Sequence, residues 1–170
     1  MTQALTNLPP PRPELPAVAQ PQMMLIFTLS GERFALSVDW VHEILDPISR
    51  TEVPFAPPFA PALINVRGTV APLIDIRQRL QMKPSPGTQE ARVIVLEIPV
   101  DGLPVKLAML ADSVDEVFET DGSPPEMLPE LGARWPARYI RGVARHGGDL
   151  VILLNTETLF LPDVDRPALS

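Results

Sequence analysis

The chain contains two copies of a related sequence, and this internal repeat restricts its possible folds more than any other feature. The segment RFALSVDWVHEIL, residues 33–45, aligns without a gap with KLAMLADSVDEVF, residues 106–118, at an offset of 73 residues. Four positions are identical, and most of the others keep their chemical type. Chance similarity between two amphipathic segments would still explain this match if it stood alone.

A second match in the same order makes duplication the better interpretation. Arg67-Gly68 precedes a segment that ends in Ile74-Asp75, and Arg141-Gly142 precedes one that ends in Leu154-Asn155. The sequence therefore predicts two copies of a strand-rich unit of about 70 residues, a size at which a closed five-stranded barrel removes the open sheet edges.

Short segments of strand character, bounded by turn residues, account for most of each copy. Ser30-Gly31 and Asp101-Gly102 each separate two such segments, which predicts two β-hairpins. The predicted strands are residues 22–29, 33–38, 63–66, 70–76, 92–98, 103–110, 139–144 and 150–154. A helical pattern is confined to residues 39–45 and to short stretches near Gln78 and Glu157.

Charge and composition exclude several classes of protein. The formal net charge is -7 and the 14 Lys and Arg residues are scattered, so we expect no nucleic-acid partner. The absence of cysteine excludes disulfides and thiolate metal sites. The longest apolar runs, such as VIVL and LVILL, are too short to cross a bilayer, and the N-terminus does not resemble a signal peptide. We therefore expect a cytoplasmic protein without direct membrane insertion.

The distribution of the 22 prolines predicts how the chain is divided. Six of them fall in residues 1–21, where few large apolar groups are available for burial, so we expect a disordered leader there. A polyproline ligand for an SH3-type groove is the alternative for this leader. We expect barrel one at about residues 22–88, barrel two at about residues 89–161, and a flexible tail at residues 162–170.

The sequence gives little support for an enzyme or a cofactor. His42 and His146 are the only histidines and have no metal-ligand spacing, so no metal site is predicted. Asp75 ends a predicted strand, but its counterpart in the second copy is Asn155. A side chain that caps the following turn explains both residues, whereas an acid or base would exist in one copy only.

Five stretches resemble, in order and spacing, the CheW-like coupling domain of bacterial chemotaxis. They are FTLSGERFALSVDWVHEIL, ALINVRGTVAPLIDIRQRL, RVIVLEI with LAMLADSVDEV, PELGA and YIRGVARHGGDLVILLNTETLF, and the resemblance as a whole covers residues 24–160. The most specific element is Ile-Asn-x-Arg-Gly followed by Pro-Leu-Ile-Asp. The resemblance implies an all-β fold of two SH3-like five-stranded β-barrels with short helices, related by internal duplication. It also implies a scaffold without catalytic activity, which joins chemoreceptor tips to the regulatory domain of the histidine kinase CheA in membrane-associated arrays.

The polar residues inside the apolar segment ALINVRGTVAPLIDI are the first candidate site. Asn65 can tie down local backbone, Arg67 can extend along a barrel surface, and Gly68 permits positive φ or the close approach of a partner. Glu43 is the expected partner of Arg67, because an unpaired charge beside an apolar groove would be costly. On residue chemistry alone, an ordinary ion pair and a turn glycine remain the alternative.

The resemblance places these residues in a receptor-binding groove. Val41 and Ile44 would form its apolar floor, and Arg67 would orient a docked amphipathic helix. The kinase contact implied by the resemblance includes the connecting segment of the second barrel, which consists of Met127, Leu128, Pro129, Glu130 and Leu131.

Two other functions remain open at the level of sequence. One is a coupling protein of a pathway that controls pili, biofilm or second-messenger synthesis. The other is a peptide-binding SH3-like module, which the aromatic content of 5% makes a poorer fit because such grooves are lined by aromatic rings. Trp40 and Trp135 could be exposed partner anchors, although isolated tryptophans are more often half-buried or in the core.

Overall fold

A computed structural model describes residues 20–84, 87–127 and 134–160 of the chain. In these ranges the strands are β1 Met23–Leu29, β2 Glu32–Ser37, β3 Val41–Leu45, β4 Arg50–Glu52, β5 Ala62–Val66, β6 Thr69–Ile74, β7 Arg92–Val100, β8 Leu103–Ala111, β9 Ser113–Glu119, β10 Ile140–His146 and β11 Asp149–Leu154. The α-helices are α1 Ile76–Arg79 and α2 Thr156–Phe160, and 3₁₀ turns occur at Val38–Trp40 and Ala137–Tyr139. Most of the predicted leader and the whole predicted tail lie outside the described residues.

Two-residue turns connect the two strands of each predicted antiparallel hairpin. Ser30-Gly31 joins β1 to β2 and Asp101-Gly102 joins β7 to β8, and all four of these residues have positive φ. Such a turn has the same sense of twist as the strands it connects, so the hairpins continue without splaying.

The strands form two sheets with matching topology. The five-stranded sheet has the order β10-β11-β2-β1-β9, and the six-stranded sheet has the order β3-β7-β8-β6-β5-β4. Each contains one parallel pair in the same register: Ala35 lies opposite Leu153 in one sheet, and Ala108 lies opposite Leu73 in the other. Residues 33–45 and 106–118 therefore occupy equivalent positions, and the predicted duplication is confirmed.

The two copies exchange their first hairpins. The β1–β2 hairpin of the first copy completes the sheet that contains β9, β10 and β11, and the β7–β8 hairpin completes the sheet that contains β3 to β6. Both sheets thus cross the predicted boundary between residues 88 and 89. That boundary separates the two copies along the sequence, but neither sheet consists of one copy alone.

Residues 39–45 differ from the expectation, because only Val38–Trp40 is helical and the rest is strand β3. β3 pairs with β7 and takes a bulge between Val41 and Glu43. Pairing beside a strand as buried as β7, whose residues 93–96 are fully enclosed, outweighs the weak helical periodicity of the segment. The predicted short helices near Gln78 and Glu157 are confirmed as α1 and α2.

Three groups of buried side chains form the core. The largest draws on both sheets and both helices, and its biggest members are Phe27, Phe34, Tyr139 and Phe160. Two smaller clusters belong to the six-stranded sheet and the five-stranded sheet separately. The two sheets therefore share one apolar core in addition to having an interior of their own. Within the described ranges, no helix is long and apolar enough to cross a bilayer.

Both helices begin with the predicted side-chain caps. Asp75 Oδ1 accepts a hydrogen bond from Arg77 N at 3.1 Å, and Asn155 Oδ1 accepts one from Thr158 N at 3.3 Å. An amide performs the task as well as a carboxylate, since a cap needs only an acceptor oxygen. Capping therefore accounts for this pair of residues without any acid or base role.

Candidate functional site

The turn between β5 and β6 explains why an apolar segment contains Asn, Arg and Gly. Arg67 and Gly68 form a two-residue turn with φ of 51° and 85°, and Val66 pairs with Thr69 across it. Asn65 Oδ1 accepts a hydrogen bond from Gly68 N at 2.8 Å. The left-handed backbone favours glycine at the second position, and the amide of Asn65 holds the turn in place. The guanidinium of Arg67 therefore projects from a rigid base.

Glu43 of β3 is the partner of Arg67, as predicted. Arg67 Nε donates a hydrogen bond to Glu43 Oε2 at 3.0 Å. The Glu43 side chain is only 18% exposed, while that of Arg67 is 77% exposed. A pair with one partner so exposed contributes little to stability, typically below about 1 kcal/mol. Its main effect is to hold a cation in a defined position at the surface.

The bulge in β3 separates the predicted site residues onto two faces of the strand. Glu43 lies opposite Val95, which belongs to the interior cluster of the six-stranded sheet. Val41 and Ile44 lie opposite Leu96 and Ile94, which belong to the shared core. The structure thus brings Glu43 together with the Arg67 turn, and it places the apolar pair on the other side of the same strand.

The two apolar candidates differ in exposure. Val41 is partly buried against the shared core, whereas Ile44 is 41% exposed. Val70 is a further exposed apolar residue, at 62%, and it pairs with Asn65 immediately beyond the turn. Sequence reasoning did not include Val70, although the register of a two-residue turn at Arg67-Gly68 places it directly opposite Asn65.

The second copy keeps the acidic position of this site but has no arginine at the equivalent turn. Glu116 is the counterpart of Glu43, and it pairs with His146 at 3.1 Å and with Arg33 at 3.2 Å. The turn equivalent to Arg67-Gly68 is Gly147-Gly148, which joins β10 to β11 and also has positive φ. Of these two equivalent turns, only the one in the first copy carries a projecting arginine.

This equivalence corrects one step of the repeat alignment. Arg141-Gly142 lies inside β10 and is not the counterpart of Arg67-Gly68. Gly142 sits at an irregularity in the β10–β11 pairing, where the segment around Glu126 crosses closely. Gly142 allows close packing against that segment, whereas Gly68 allows a turn. The Arg-Gly dipeptide that the two sites share is therefore coincidental.

The two tryptophans and His42, also singled out from the sequence, contact neighbouring residues of the fold. Trp40 and Trp135 are half-buried against the shared core, and Trp135 meets the Phe34 ring edge-on at 5.6 Å between centroids. His42 pairs with Glu97 at 3.4 Å. In the part of the chain that the structure describes, no group of three or more His, Asp or Glu could hold a metal ion.

The structure describes only the first residue of the predicted kinase-contact segment. Met127 is 77% exposed. Leu128, Pro129, Glu130 and Leu131 lie outside the described residues, so the structure gives no account of them. Met127 follows Glu126, which forms an isolated bridge with Val143 and so ties the start of the segment to β10.

Comparison with known proteins agrees with the fold. A family model of the CheW-like domain matches residues 23–161. A probable chemotaxis protein CheW of Rhizobium etli is 27% identical over 139 residues, covering 81% of this chain and 86% of the relative. The chemotaxis protein CheW of Bacillus subtilis is 30% identical over 109 residues, covering 64% and 67%. The crystal structure of the scaffolding protein TtCheW from Thermoanaerobacter tengcongensis superposes with a TM-score of 0.73 at 27% identity, covering 85% of this chain and 90% of that one.

Proposed function

This chain belongs to the family of CheW-like domains, and from that membership we propose that it couples chemoreceptor tips to a CheA-type histidine kinase. The chain is a scaffold of chemotaxis signalling, in keeping with the chemotaxis names of its relatives. A pathway for pili, biofilm or second messengers is not favoured by any of these matches. The members of this family act as adaptors, and we assign no reaction to the chain. Its place in the cell would be the cytoplasmic face of receptor arrays.

The proposed receptor-binding surface is the first-copy site, consisting of Val41, Glu43, Ile44, Asn65, Arg67 and Gly68. The observation that carries this assignment is the exposed Arg67 guanidinium, which a rigid turn and Glu43 hold in position. The exposed Val70 lies beside the turn, opposite Asn65. Val41 and Ile44 lie on the other face of the edge strand β3, so the proposed surface continues around that edge. A fixed cation beside apolar surface suits an amphipathic helix, which can present a carboxylate next to its apolar stripe.

The proposed kinase-binding surface is a separate one, formed by Met127, Leu128, Pro129, Glu130 and Leu131. The exposure of Met127 supports it, because a large apolar side chain left in water is available to a partner. The bridge between Glu126 and Val143 joins the start of this segment to β10 in the five-stranded sheet, whereas the Arg67 turn lies in the six-stranded sheet. Damage to one site should therefore leave the other intact.

Replacing Arg67 with Ala tests the assignment. We expect receptor-tip binding, measured by calorimetry, to weaken by at least about tenfold, because the cation that orients the helix is lost. Binding of the kinase regulatory domain should not change. The melting temperature should fall only slightly, since the Glu43 pair contributes little to stability.

Arg145 provides the matched control. It is also an exposed arginine in an ion pair, with Glu126 at 3.4 Å, but it lies on β10 of the other sheet. Arg145→Ala should leave receptor affinity unchanged. Equal loss of receptor binding in both variants would point to a general charge effect, and unchanged affinity in a folded Arg67→Ala protein would remove the site assignment.

A further inference from the structure

The β7–β8 hairpin is two residue pairs longer than the β1–β2 hairpin, its counterpart in the other sheet. Glu32 closes the shorter hairpin, and the repeat, at its offset of 73 residues, aligns it with Val105 of β8. The longer hairpin continues beyond Val105 through Pro104 to Leu103 before its turn. Leu103 is 68% exposed and Val105 is 38% exposed. The extension therefore adds apolar surface at a hairpin end, where the fold by itself calls for polar residues.

The extension lies beside the Arg67 turn, because β8 runs parallel to β6. Ile74 lies opposite Met109, and the same register, carried four residues back along both strands, brings Val70 level with Val105. Alternation places these four side chains on one face of the six-stranded sheet. Ile74 and Met109 belong to the shared core, whereas Val70 and Val105 are exposed to water. The apolar face of this sheet therefore continues past the shared core into solvent.

Val70, Leu103 and Val105 together form what we call the hairpin strip. Neighbouring strands lie about 4.8 Å apart, and residues two apart on one strand are separated by about 7 Å. The apolar residues along one face of a helix recur every three or four positions, at about 5–6 Å between Cβ atoms. The hairpin strip therefore has the spacing of two successive turns of an amphipathic helix.

The equivalent position in the five-stranded sheet is polar. Leu150 of β11 corresponds to Val70, and the parallel register of β11 with β2 brings it level with Glu32. Glu32 forms an ion pair with Arg134 at 2.8 Å, in the place that Val105 occupies in the other sheet. The fold of this duplicated chain is therefore compatible with a charged residue there, and the apolar strip is not a requirement of the strand arrangement.

We propose that the apolar stripe of the receptor helix contacts the hairpin strip while its carboxylate meets Arg67, an inference that rests on the proposed function. The receptor site is then built from both copies, because the exchanged hairpin brings β8 beside the Arg67 turn.

The position of the hairpin strip favours this occupant. Val70 follows the fixed cation of Arg67 by only three residues, so the strip continues the surface already proposed for the receptor. The proposed kinase surface begins on the other sheet. A helix with an apolar stripe and an acidic border can contact the cation and the strip at once.

Replacing Leu103 with Thr tests this inference, with the cytoplasmic tip fragment of a chemoreceptor from the same organism as the probe. Thr keeps strand propensity but removes aliphatic surface. In calorimetry we expect the affinity to fall by at least about fivefold. The heat-capacity change of binding should become less negative, because less apolar surface is buried. The melting temperature and the affinity for the kinase regulatory domain should not change, since Leu103 is exposed.

Two further variants show whether apolar surface at this place is what matters. Leu103→Met keeps an apolar side chain of similar volume and should keep the affinity. Val70→Thr should weaken receptor binding, whereas Leu150→Thr should not. Leu150 is the matched control, because it is 53% exposed and occupies the position of Val70 in the other sheet.

Comparison with Arg67→Ala separates this inference from the proposed function. Arg67→Ala should reduce the salt dependence of receptor affinity and leave the heat-capacity change nearly unaltered, whereas Leu103→Thr should do the reverse. Weaker binding in Arg67→Ala together with unchanged affinity in Leu103→Thr would exclude the hairpin strip and leave the proposed function in place.

Loss of kinase-domain binding in Leu103→Thr, or an effect on self-association alone in sedimentation equilibrium, would assign the strip to another partner and overturn the inference. Failure of the unaltered chain to bind the tip fragment would overturn the proposed function and this inference together.

Discussion

At the scale of single residues, the two copies differ at one equivalent turn, which carries Arg67 in the first copy and Gly147 in the second. Glu43 and Glu116 occupy equivalent positions, and each forms an ion pair with an arginine. The partner of Glu43 comes from a turn and projects into solvent, whereas Gly147 at the equivalent turn has no side chain to offer. The two copies therefore have the same strand arrangement, but the residue at one turn position, Arg67 or Gly147, makes their surfaces chemically different.

Two glycines that follow an arginine should respond differently to replacement by alanine. A Cβ at Gly68 would meet nothing within 4 Å, so only its φ of 85° opposes it, and we expect a loss of about 1 kcal/mol in unfolding free energy. A Cβ at Gly142 would lie 2.6 Å from Pro125 Cβ and 2.7 Å from Glu126 O. Displacing backbone there should cost more, about 2–4 kcal/mol.

Urea denaturation of both alanine variants would check this ordering. If both variants lose only about 1 kcal/mol, the segment around Glu126 gives way easily and its bridge to Val143 is weak. If both lose about 2–4 kcal/mol, the Asn65 turn is coupled to the rest of the sheet.

At the scale of elements, each short helix depends on the residue that precedes it. α1 and α2 have only four and five residues, lengths at which a helix is marginal by itself. Asp75 and Asn155 supply an acceptor to the first turn of each. Burial of Ile76 and Leu80 at α1 and of Leu159 and Phe160 at α2 contributes the rest of their stability.

Asp75→Ala should lower the unfolding free energy by about 1 kcal/mol through loss of the cap. Asp75→Asn should keep most of that stability, because the amide oxygen can still accept the hydrogen bond from Arg77 N, as Asn155 does at the equivalent helix. Chemical denaturation of the two variants measures the difference. If the two variants lose the same amount of stability, the negative charge of Asp75, rather than its acceptor oxygen, is what the helix requires.

At the scale of the whole molecule, exchange of hairpins makes the two sheets mutually dependent. Neither sheet retains its order if the other copy is removed, because each contains strands from both. The shared core adds to this, since it includes side chains from both sheets and both helices. An ion pair between Arg77 of α1 and Asp112, next to β9, also joins the two copies, and both side chains are largely buried.

We therefore expect the folded region to unfold in one cooperative step. In scanning calorimetry the measured and van't Hoff enthalpies should agree, as they do for a two-state transition. A variant that destabilises only one barrel interior, such as Val95→Ala in the six-stranded sheet, should shift the whole transition to lower temperature. Two resolved transitions, or a shoulder that moves alone in Val95→Ala, would contradict this dependence.

Much of the fold could be predicted from the sequence because its signals are local. The hairpin turns at Ser30-Gly31 and Asp101-Gly102 and the caps at Asp75 and Asn155 depend on residues close together in the chain. The repeat spans a longer distance, but it is found by comparing two segments of the sequence directly. The Glu43–Arg67 pair was also predicted, since the Arg67 turn needed a nearby counter-charge.

The tertiary structure alone decided which strands share a sheet. An alternating pattern of apolar residues indicates that a strand is half-buried. It does not indicate which copy supplies the neighbouring strand, because the sheet edges of the two copies are nearly equivalent. The parallel pairing of Ala35 with Leu153 joins residues from opposite ends of the fold, beyond the reach of any local signal. The strand state of β3 follows from that same arrangement, because β3 pairs with β7 of the exchanged hairpin.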